Sequence, residues 1–361
     1  MGDLRVFESI EIMSGKGVYE VEFDETSFTK TASFLEGTIH VIMDSNLVDL
    51  YPKLLTEFIN HPNIILIEAN EDSKAILKVL PVIEQLLDNG ARRGHTLLAI
   101  GGGVIQDIVC FISSVLFRGL DWKFIPTTLL SQADSCIGSK SSINLGKTKN
   151  ILGTFNPPKN ILICPIFLDT LERSEILSGI GEILKVHTID GIQSFDTVAR
   201  DYDALLSDRL VLLNYIQEAL NIKKKYIEVD EYDQGVRNIF NYGHSFGHAI
   251  ESATKFEIPH GIAVTIGMDM ANRISAWRGT LAKGHYERMH DVLRENYKDY
   301  LGVHIPLELL ISALKKDKKN THDNLMLILP MGDNASVERV PVKADELFVS
   351  QCKRYLDEIF I

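Results

Sequence analysis

At 361 residues the chain exceeds the ~100–200 residues of one typical domain, so two domains are expected. Hydrophobic residues make up 45% and charged residues 24%, the balance of a globular protein with a sizeable core. A formal net charge of −12 speaks against nucleic acid or an anionic membrane as partner, while leaving room for a small phosphorylated substrate in a locally basic pocket. The N-terminus, MGDLRVFESIEIMSGKG, has no basic segment followed by an apolar run and does not read as a signal peptide. VYEVEF (18–23) alternates like a half-buried strand. IHVIMD (39–44) is a second strand, and helical NLVDLYPKLLTEFIN follows it. NIILIEA (63–69) reads as strand and ILKVLPVIEQLLDNG (76–90) as a helix stopping at Gly90.

TLLAI (96–100) runs into GGGVIQDIVCFISSVLF. Three glycines, Gln106 and Asp107 make this a buried strand, turn and helix rather than a membrane span. KFIP (123–126) and NILICP (160–165) are further short strands. Alternating β and α segments imply a mostly parallel sheet covered by helices. From about residue 170 the pattern becomes helical, with LMLILP (325–330) as the strand-like exception. The expected division is an α/β domain, 1–172, and a mainly helical domain, 173–361. A cleft between two domains is the default place for a site. The four cysteines, Cys110, Cys136, Cys164 and Cys352, are scattered without a CxxC pair, as reduced thiols of a cytoplasmic protein would be.

Several stretches carry chemistry. GGGVIQD (101–107) sits where a strand passes into a helix, as in a pyrophosphate-binding turn, although it is not GxGxxG and also suits a merely tight turn. FRGLDWKFIPTTLLSQADSCIGSKSSINLGKTKN (117–150) mixes lysines with small residues that expose backbone amides. It reads either as a phosphate site or as a solvated loop. Glu182 and Lys185 lie three apart on one helical face, either a weak surface ion pair or a metal-binding carboxylate with a neighbouring cation. NYGHSFGHAIESATKFEIPHG (241–261) holds His244 and His248 at a spacing that shares a helical face, with His260 further on. Spacing nominates the first two as a metal pair. HSFGH is not HExxH, which makes a zinc protease a poor fit.

GGGVIQD, PTTLLSQADSCIGSK, KNILGTF, GIGEILK, RNIFNYGHSFGHAIE, HGIAV and DKK follow one another in the order and spacing of 3-dehydroquinate synthases, over roughly residues 35–335. The chain resembles that family, one of the sugar phosphate cyclases. The resemblance implies a Rossmann-like N-terminal domain, a helical C-terminal domain, and a cytoplasmic homodimer using NAD and zinc or cobalt. It implies Glu182, His244 and His260 as metal ligands, so that His248 turns to the substrate phosphate. NAD would meet Gly102, Gly103 and Asp107, with Glu71 and Lys74 near its ribose, and Thr127, Thr128, Lys140, Lys149, Asp169 and Thr170 around the rest. Phosphate would meet Lys140, Asn150, Asn241, His248, Lys318 or Lys319, and Arg118 from a second subunit. Lys223 and Arg237 match the pair receiving a substrate carboxylate, and Asp134 and Lys185 match residues touching ring hydroxyls.

The chain departs from the pattern in places. The usual GGKT is GSKS (138–141), the usual NHPLGKN is NLGKTKN (144–150), and Gln106 replaces a customary glycine. EANED stands where PDGE is usual before the ribose-binding lysine. The usual HGE is here His260, Gly261 and Ile262, so a carboxylate that could orient the metal histidine is expected to be missing. Such drift is similar to cyclases acting on sedoheptulose 7-phosphate or glucose 6-phosphate. Arg237 and Lys223 favour instead a carboxylate-bearing heptulosonate phosphate. A metal-dependent polyol or glycerol-phosphate dehydrogenase, and a scaffold without activity, fit these residues less well.

Overall fold

The computed structural model describes residues 7–25, 28, 30–146, 148–282, 284–316, 320 and 324–360. The chain divides into two units: Met1–Leu171 with Lys223–Tyr232, and Glu172–Ile222 with Asp233–Ile361. The helix Arg209–Val229 is divided between the two units at Lys223.

In the first unit the strands are β1 (Ile10–Ser14), β2 (Gly17–Phe23), β3 (Ile39–Asp44), β4 (Ile64–Ile67), β5 (Thr96–Gly101), β6 (Asp121–Pro126), β7 (Lys140–Leu145), β8 (Thr148–Phe155) and β9 (Asn160–Ile163). Its helices are α1 (Thr31–Phe34), α2 (Asn46–Leu50), α3 (Thr56–Ile59), α4 (Ile76–Asp88) and α5 (Gly103–Val115). Seven strands form one sheet in the order β1-β2-β9-β6-β5-β3-β4. Among the described residues, β1 and β2 pair antiparallel within it and the other neighbours pair parallel. β3 and β5 are apolar and buried along nearly their whole length, as strands covered on both faces must be. Phe34, Val41, Met43, Leu98, Ile100, Ile125, Leu162 and Phe167 make the core on one side. β7 and β8 form a separate hairpin.

The second unit is built on α6 (Arg173–Asp190), α7 (Ile192–Arg200), α8 (Tyr202–Ser207), α9 (Arg209–Val229, to Ile222), α10 (His244–Ala253), α11 (His260–Trp277), α12 (His285–Tyr297), α13 (Leu307–Lys315) and α14 (Glu346–Ile359). One antiparallel hairpin, β10 (Asn324–Met331) and β11 (Ser336–Lys343), accompanies them. α6 and α11 are buried through most of their length. Among the described residues no helix is long and apolar enough to cross a membrane.

Three details differ from the sequence pattern. NLVDLYPKLLTEFIN breaks into α2 and α3 around Pro52, which lacks the N–H that a continuous helix needs. Much of the stretch read as a phosphate site or solvated loop is the hairpin β7–β8. β8 is exposed over its first four residues, so no apolar alternation announces it. β11 is exposed along most of its length for the same reason, and β10 has a partner that periodicity does not reveal.

Candidate active site

In the first unit, β5 ends at Gly101 and α5 starts at Gly103 with Gly102 as its cap. A Cβ on Gly101 would lie 2.5 Å from Ile105 Cγ1, and one on Gly102 would lie 2.8 Å from Thr128 Cγ2. Those two glycines are therefore required by packing. At Gly103 a Cβ would meet nothing within 4 Å. β4 lies beyond β3, while β6 lies beyond β5, so the chain reverses its direction of travel across the sheet at the β3/β5 pair. The carboxyl ends of such a pair open a crevice, and the first amides of α5 make its edge favourable to negative charge. Asp44 ends β3, and its Cβ would stand 3.4 Å from a Gly101 Cβ. Burial raises its carboxyl above the ordinary range, against hydrogen bonds from the backbone of Asn46 and Ala69. Sequence patterning did not nominate Asp44, although a strand ending in Asp beside the glycine turn was its signal.

Beside the turn, four of the expected side chains form one network. Lys74 Nζ lies 2.8 Å from Asp107 Oδ2, 2.9 Å from Asn150 Oδ1 and 3.7 Å from Glu71 Oε2. Asn144 Nδ2 donates to Glu71 Oε1 at 2.8 Å, and the Asn150 N–H donates to Asn144 Oδ1 at 2.8 Å. The Ser142 N–H donates to Asp107 Oδ1 at 2.9 Å. Asn144 and Ser142 are polar positions that motif reading missed, because their role depends on the β7–β8 hairpin reaching Glu71 and Asp107. Asn150, expected at phosphate, here belongs to this network. Lys140 and Lys149 are exposed on the same hairpin.

Thr127 donates its N–H to the Gly101 carbonyl at 3.0 Å, and Thr128 Oγ1 lies 2.8 Å from Ser131 Oγ. Asp169 and Thr170 are exposed in a turn after β9, with Thr170 Oγ1 2.9 Å from the Tyr51 hydroxyl. Arg118 is exposed in a turn where it and Phe117 both take positive φ, 68° and 55°. Lys223 Nζ lies 2.6 Å from Asp134 Oδ1 and donates to the Asp134 carbonyl at 2.5 Å. Gln106 donates to the Ser135 carbonyl at 2.5 Å and accepts from Ser135 Oγ at 2.7 Å. The residue standing where glycine is customary thus fixes the backbone next to Asp134.

The second unit positions its side chains through close backbone contact. A Cβ on Gly261 would fall 1.9 Å from the Ser178 carbonyl oxygen, and one on Gly181 would fall 2.4 Å from the Gly261 carbonyl oxygen. A Cβ on Gly267 would lie 2.2 Å from the Gly243 carbonyl oxygen. Glycine therefore lets α6 and α10 press directly on α11. Glu182, His244, His248 and His260 are each the chain neighbour of a glycine in these contacts.

That packing gathers them. One ring nitrogen from each of His244, His248 and His260 lies within 4.8 Å of the others. Buried Glu182 points Oε1 at His260 Nε2, 3.5 Å away, and at His244 Nε2, 3.8 Å away. Its other oxygen pairs with the buried Lys185 ammonium, so this is no surface ion pair. Zinc donors ~2.0–2.2 Å from the metal at tetrahedral angles stand about 3.3–3.5 Å apart. The Glu182–His260 pair meets that spacing at 3.5 Å and the Glu182–His244 pair stands wider at 3.8 Å, so the donor types fit a divalent ion that draws His244 slightly inward. The spacing-based pair His244 and His248 is also brought together, with His248 exposed.

The expectation that His260 lacks an orienting carboxylate is overturned, since Glu251 Oε2 lies 3.2 Å from its Nδ1. Burial disfavours charge on His260. The Glu251 hydrogen bond, with the charges of Glu251 and Glu182, outweighs it and holds the imidazole above its ordinary value. Arg237 is buried in the turn Val236–Asn241, and Asn241 Nδ2 donates to the Asn238 carbonyl at 2.9 Å. Lys318 and Lys319 lie outside the described residues.

Known proteins resemble the chain over most of its length. Residues 64–178 match the family model of the 3-dehydroquinate synthase N-terminal region, and residues 179–320 that of its C-terminal region. A 3-dehydroquinate synthase of Thermoanaerobacter sp. (strain X514) is 34% identical over 342 residues, 91% of this chain and 95% of that one. The chain belongs to the 3-dehydroquinate synthase family. Another 3-dehydroquinate synthase, from Dictyoglomus thermophilum, is 36% identical over 292 residues, 80% of this chain and 81% of the relative. Among solved structures, a 2-deoxy-scyllo-inosose synthase with carbaglucose-6-phosphate, NAD+ and Co2+ superposes with a TM-score of 0.82 at 22% identity, covering 97% of this chain and 100% of that one. The 2-epi-5-epi-valiolone synthase of Streptomyces hygroscopicus subsp. jinggangensis 5008, with NAD+ and Zn2+ bound, gives 0.79 at 25% identity over 94% of this chain and 96% of its own. The dehydroquinate synthase-like fold and a cyclase-type lyase activity follow from this membership.

Proposed function

We propose that the protein is an NAD- and zinc-dependent 3-dehydroquinate synthase. It would convert 3-deoxy-D-arabino-heptulosonate 7-phosphate to 3-dehydroquinate and phosphate by oxidation, phosphate elimination, re-reduction and intramolecular aldol closure, as a homodimer in the shikimate pathway. The observation that carries this reading is the Glu182, His244 and His260 constellation, in which Glu182 Oε1 lies 3.5 Å from His260 Nε2 and 3.8 Å from His244 Nε2.

Held by Glu182, His244 and His260, zinc would supply Lewis acidity toward a substrate hydroxyl, and NAD beside the α5 turn would supply reversible hydride transfer. The chain's own groups bind and orient. The first-turn amides of α5, with Glu71, Lys74 and Asp107, form the dinucleotide side. Arg237 supplies a planar fork for a carboxylate, with Lys223 as a second cation. Lys140, Asn241 and His248, with Arg118 of a second subunit, would hold the substrate phosphate in one orientation. That serves it both as leaving group and as the acceptor of the neighbouring proton. Asp134 and Lys185 contact ring hydroxyls.

A related cyclase acting on sedoheptulose 7-phosphate or glucose 6-phosphate is the second reading, favoured by the GSKS and NLGKTKN departures and by the solved structures above. Mass analysis of products from the three sugar phosphates, each with NAD and zinc, decides between them. Dehydroquinate with released phosphate and no accumulated NADH is expected; turnover of a neutral sugar phosphate alone would sink the first reading. Zinc analysis tests the centre. His244→Ala and His260→Ala are expected to lose the metal and turnover, and His248→Ala to keep stoichiometric zinc while losing turnover.

A further inference from the structure

We infer that Glu251 is the positioning residue of the metal centre, setting the tautomer and ring orientation of His260; this rests on the proposed metal-binding role of His260. His244, His248 and Glu251 are spaced four and three apart on α10 and so share one face of that helix. α10 ends at Ala253, and the chain reverses through Lys255 and Phe256, both at positive φ, 53° and 65°. The Phe256 N–H donates to the Glu251 carbonyl at 2.8 Å and closes this reversal. Nine residues after Glu251 the chain returns as the first residue of α11, which is His260. The local fold thus delivers the imidazole edge-on to the carboxylate, with Nδ1 3.2 Å from Glu251 Oε2. The opposite nitrogen, Nε2, is the one facing Glu182 Oε1 at 3.5 Å.

The chemistry follows from which nitrogen carries the proton. An Nδ1–H donated to a carboxylate leaves the Nε2 lone pair for a cation, and the carboxylate makes that lone pair more basic. A ring without this partner could rotate or take the other tautomer, which turns an N–H toward Glu182. The Glu251 side chain is only 12% exposed while His260 is 35% exposed, so the carboxylate is held by the protein and the imidazole keeps an open edge. Ile262, two residues after His260, offers no carboxylate, and Glu251 reaches the imidazole from the preceding helix.

The test measures zinc affinity of the full chain by competition with a chromophoric chelator, together with the visible spectrum of the cobalt-loaded protein. Glu251→Ala is expected to weaken zinc binding about 10–100-fold and to shift the cobalt spectrum. Glu251→Gln still accepts from Nδ1–H without the charge, and Glu251→Asp keeps the charge on a shorter arm. Both are expected between Glu251→Ala and the unaltered chain. Circular dichroism of the metal-free forms confirms that the near-isosteric Glu251→Gln is folded. If the unaltered chain holds zinc while Glu251→Ala and Glu251→Gln bind it as tightly with the same cobalt spectrum, the role of Glu251 is overturned and the metal centre stands. If the unaltered chain holds no zinc, the metal centre falls and this inference with it.

Discussion

In the first unit, Lys74 is fixed by side chains: Asp107, Asn150 and Glu71 surround its ammonium, and Asn144 ties Glu71 to the β7–β8 hairpin. In the second unit, Glu182, His244 and His260 are placed by backbones, because glycines let α6, α10 and α11 touch without intervening side chains. The difference concerns stiffness. A hydrogen-bonded network can lose a member and relax, whereas two helix backbones in contact cannot absorb a new methyl group.

The largest expected effect breaks the backbone contact. Gly261→Ala puts a Cβ 1.9 Å from the Ser178 carbonyl oxygen, so α6 and α11 must separate. The expected destabilisation is about 3 kcal/mol or more, read by denaturant unfolding, with loss of zinc binding because His260 and Glu182 move apart. Gly103→Ala in the first unit is the counterpart. Its Cβ meets nothing within 4 Å, and alanine at a helix start should be neutral or stabilise by up to about 1 kcal/mol. Equal costs at the two glycines would remove the distinction between the units.

A second effect of about 3 kcal/mol sharpens the same point through pH. His187 lies on α6, buried, with Nδ1 2.8 Å from Ser194 Oγ. Burial pushes its pKa down to about 4, against the charge of Asp190. The unfolded chain takes up the proton near pH 6.5 and the folded one only near 4, so the stabilisation is complete above about 6.5 and is lost as pH falls toward 4. A difference of about 2.5 units corresponds to roughly 3 kcal/mol. His187→Gln removes the titration and keeps a hydrogen-bonding side chain. Unfolding at pH 7 and pH 4 should show the unaltered chain losing that much more than the variant. Parallel losses in the two would mean that tight packing of α6 does not set this histidine.

The two units also differ in how readily the sequence disclosed them. The α/β alternation before residue 170 and the helical spacing after it are legible, since burial on two faces or on one stripe writes itself as apolar periodicity. GIGEILK, GHSFGH and HG are legible for a different reason: each joins a polar side chain to the glycine that seats it. The β7–β8 hairpin was not legible, because its exposed strand carries no apolar pattern and its pairing is set by tertiary contact. Asn144 and Ser142 were hidden with it. Glu251 escaped notice because the expected carboxylate lies two residues after the histidine, while the actual one lies nine residues before it and is brought back by a turn at positive φ.

The smallest of these losses belongs to the side-chain network. Lys74→Met removes the cation beside Asp107 but leaves the Ser142 N–H bond and the Asn144 bridge in place. The Asp107 side chain keeps 21% exposure, so the loss should be about 2 kcal/mol at pH 7 rather than the 3–5 of a fully buried pair. Burial already raises the Asp107 carboxyl, with Lys74 as the main opposing charge, so the variant raises it further. A carboxyl whose folded pKa lies above its unfolded value weakens the fold as pH rises through that range, and the penalty disappears below about pH 4. The gap between Lys74→Met and the unaltered chain should therefore narrow as pH falls from 7 toward 4. A gap independent of pH would mean that Lys74 acts through its packed hydrocarbon stem, and the first unit would then resemble the second in depending on close contact.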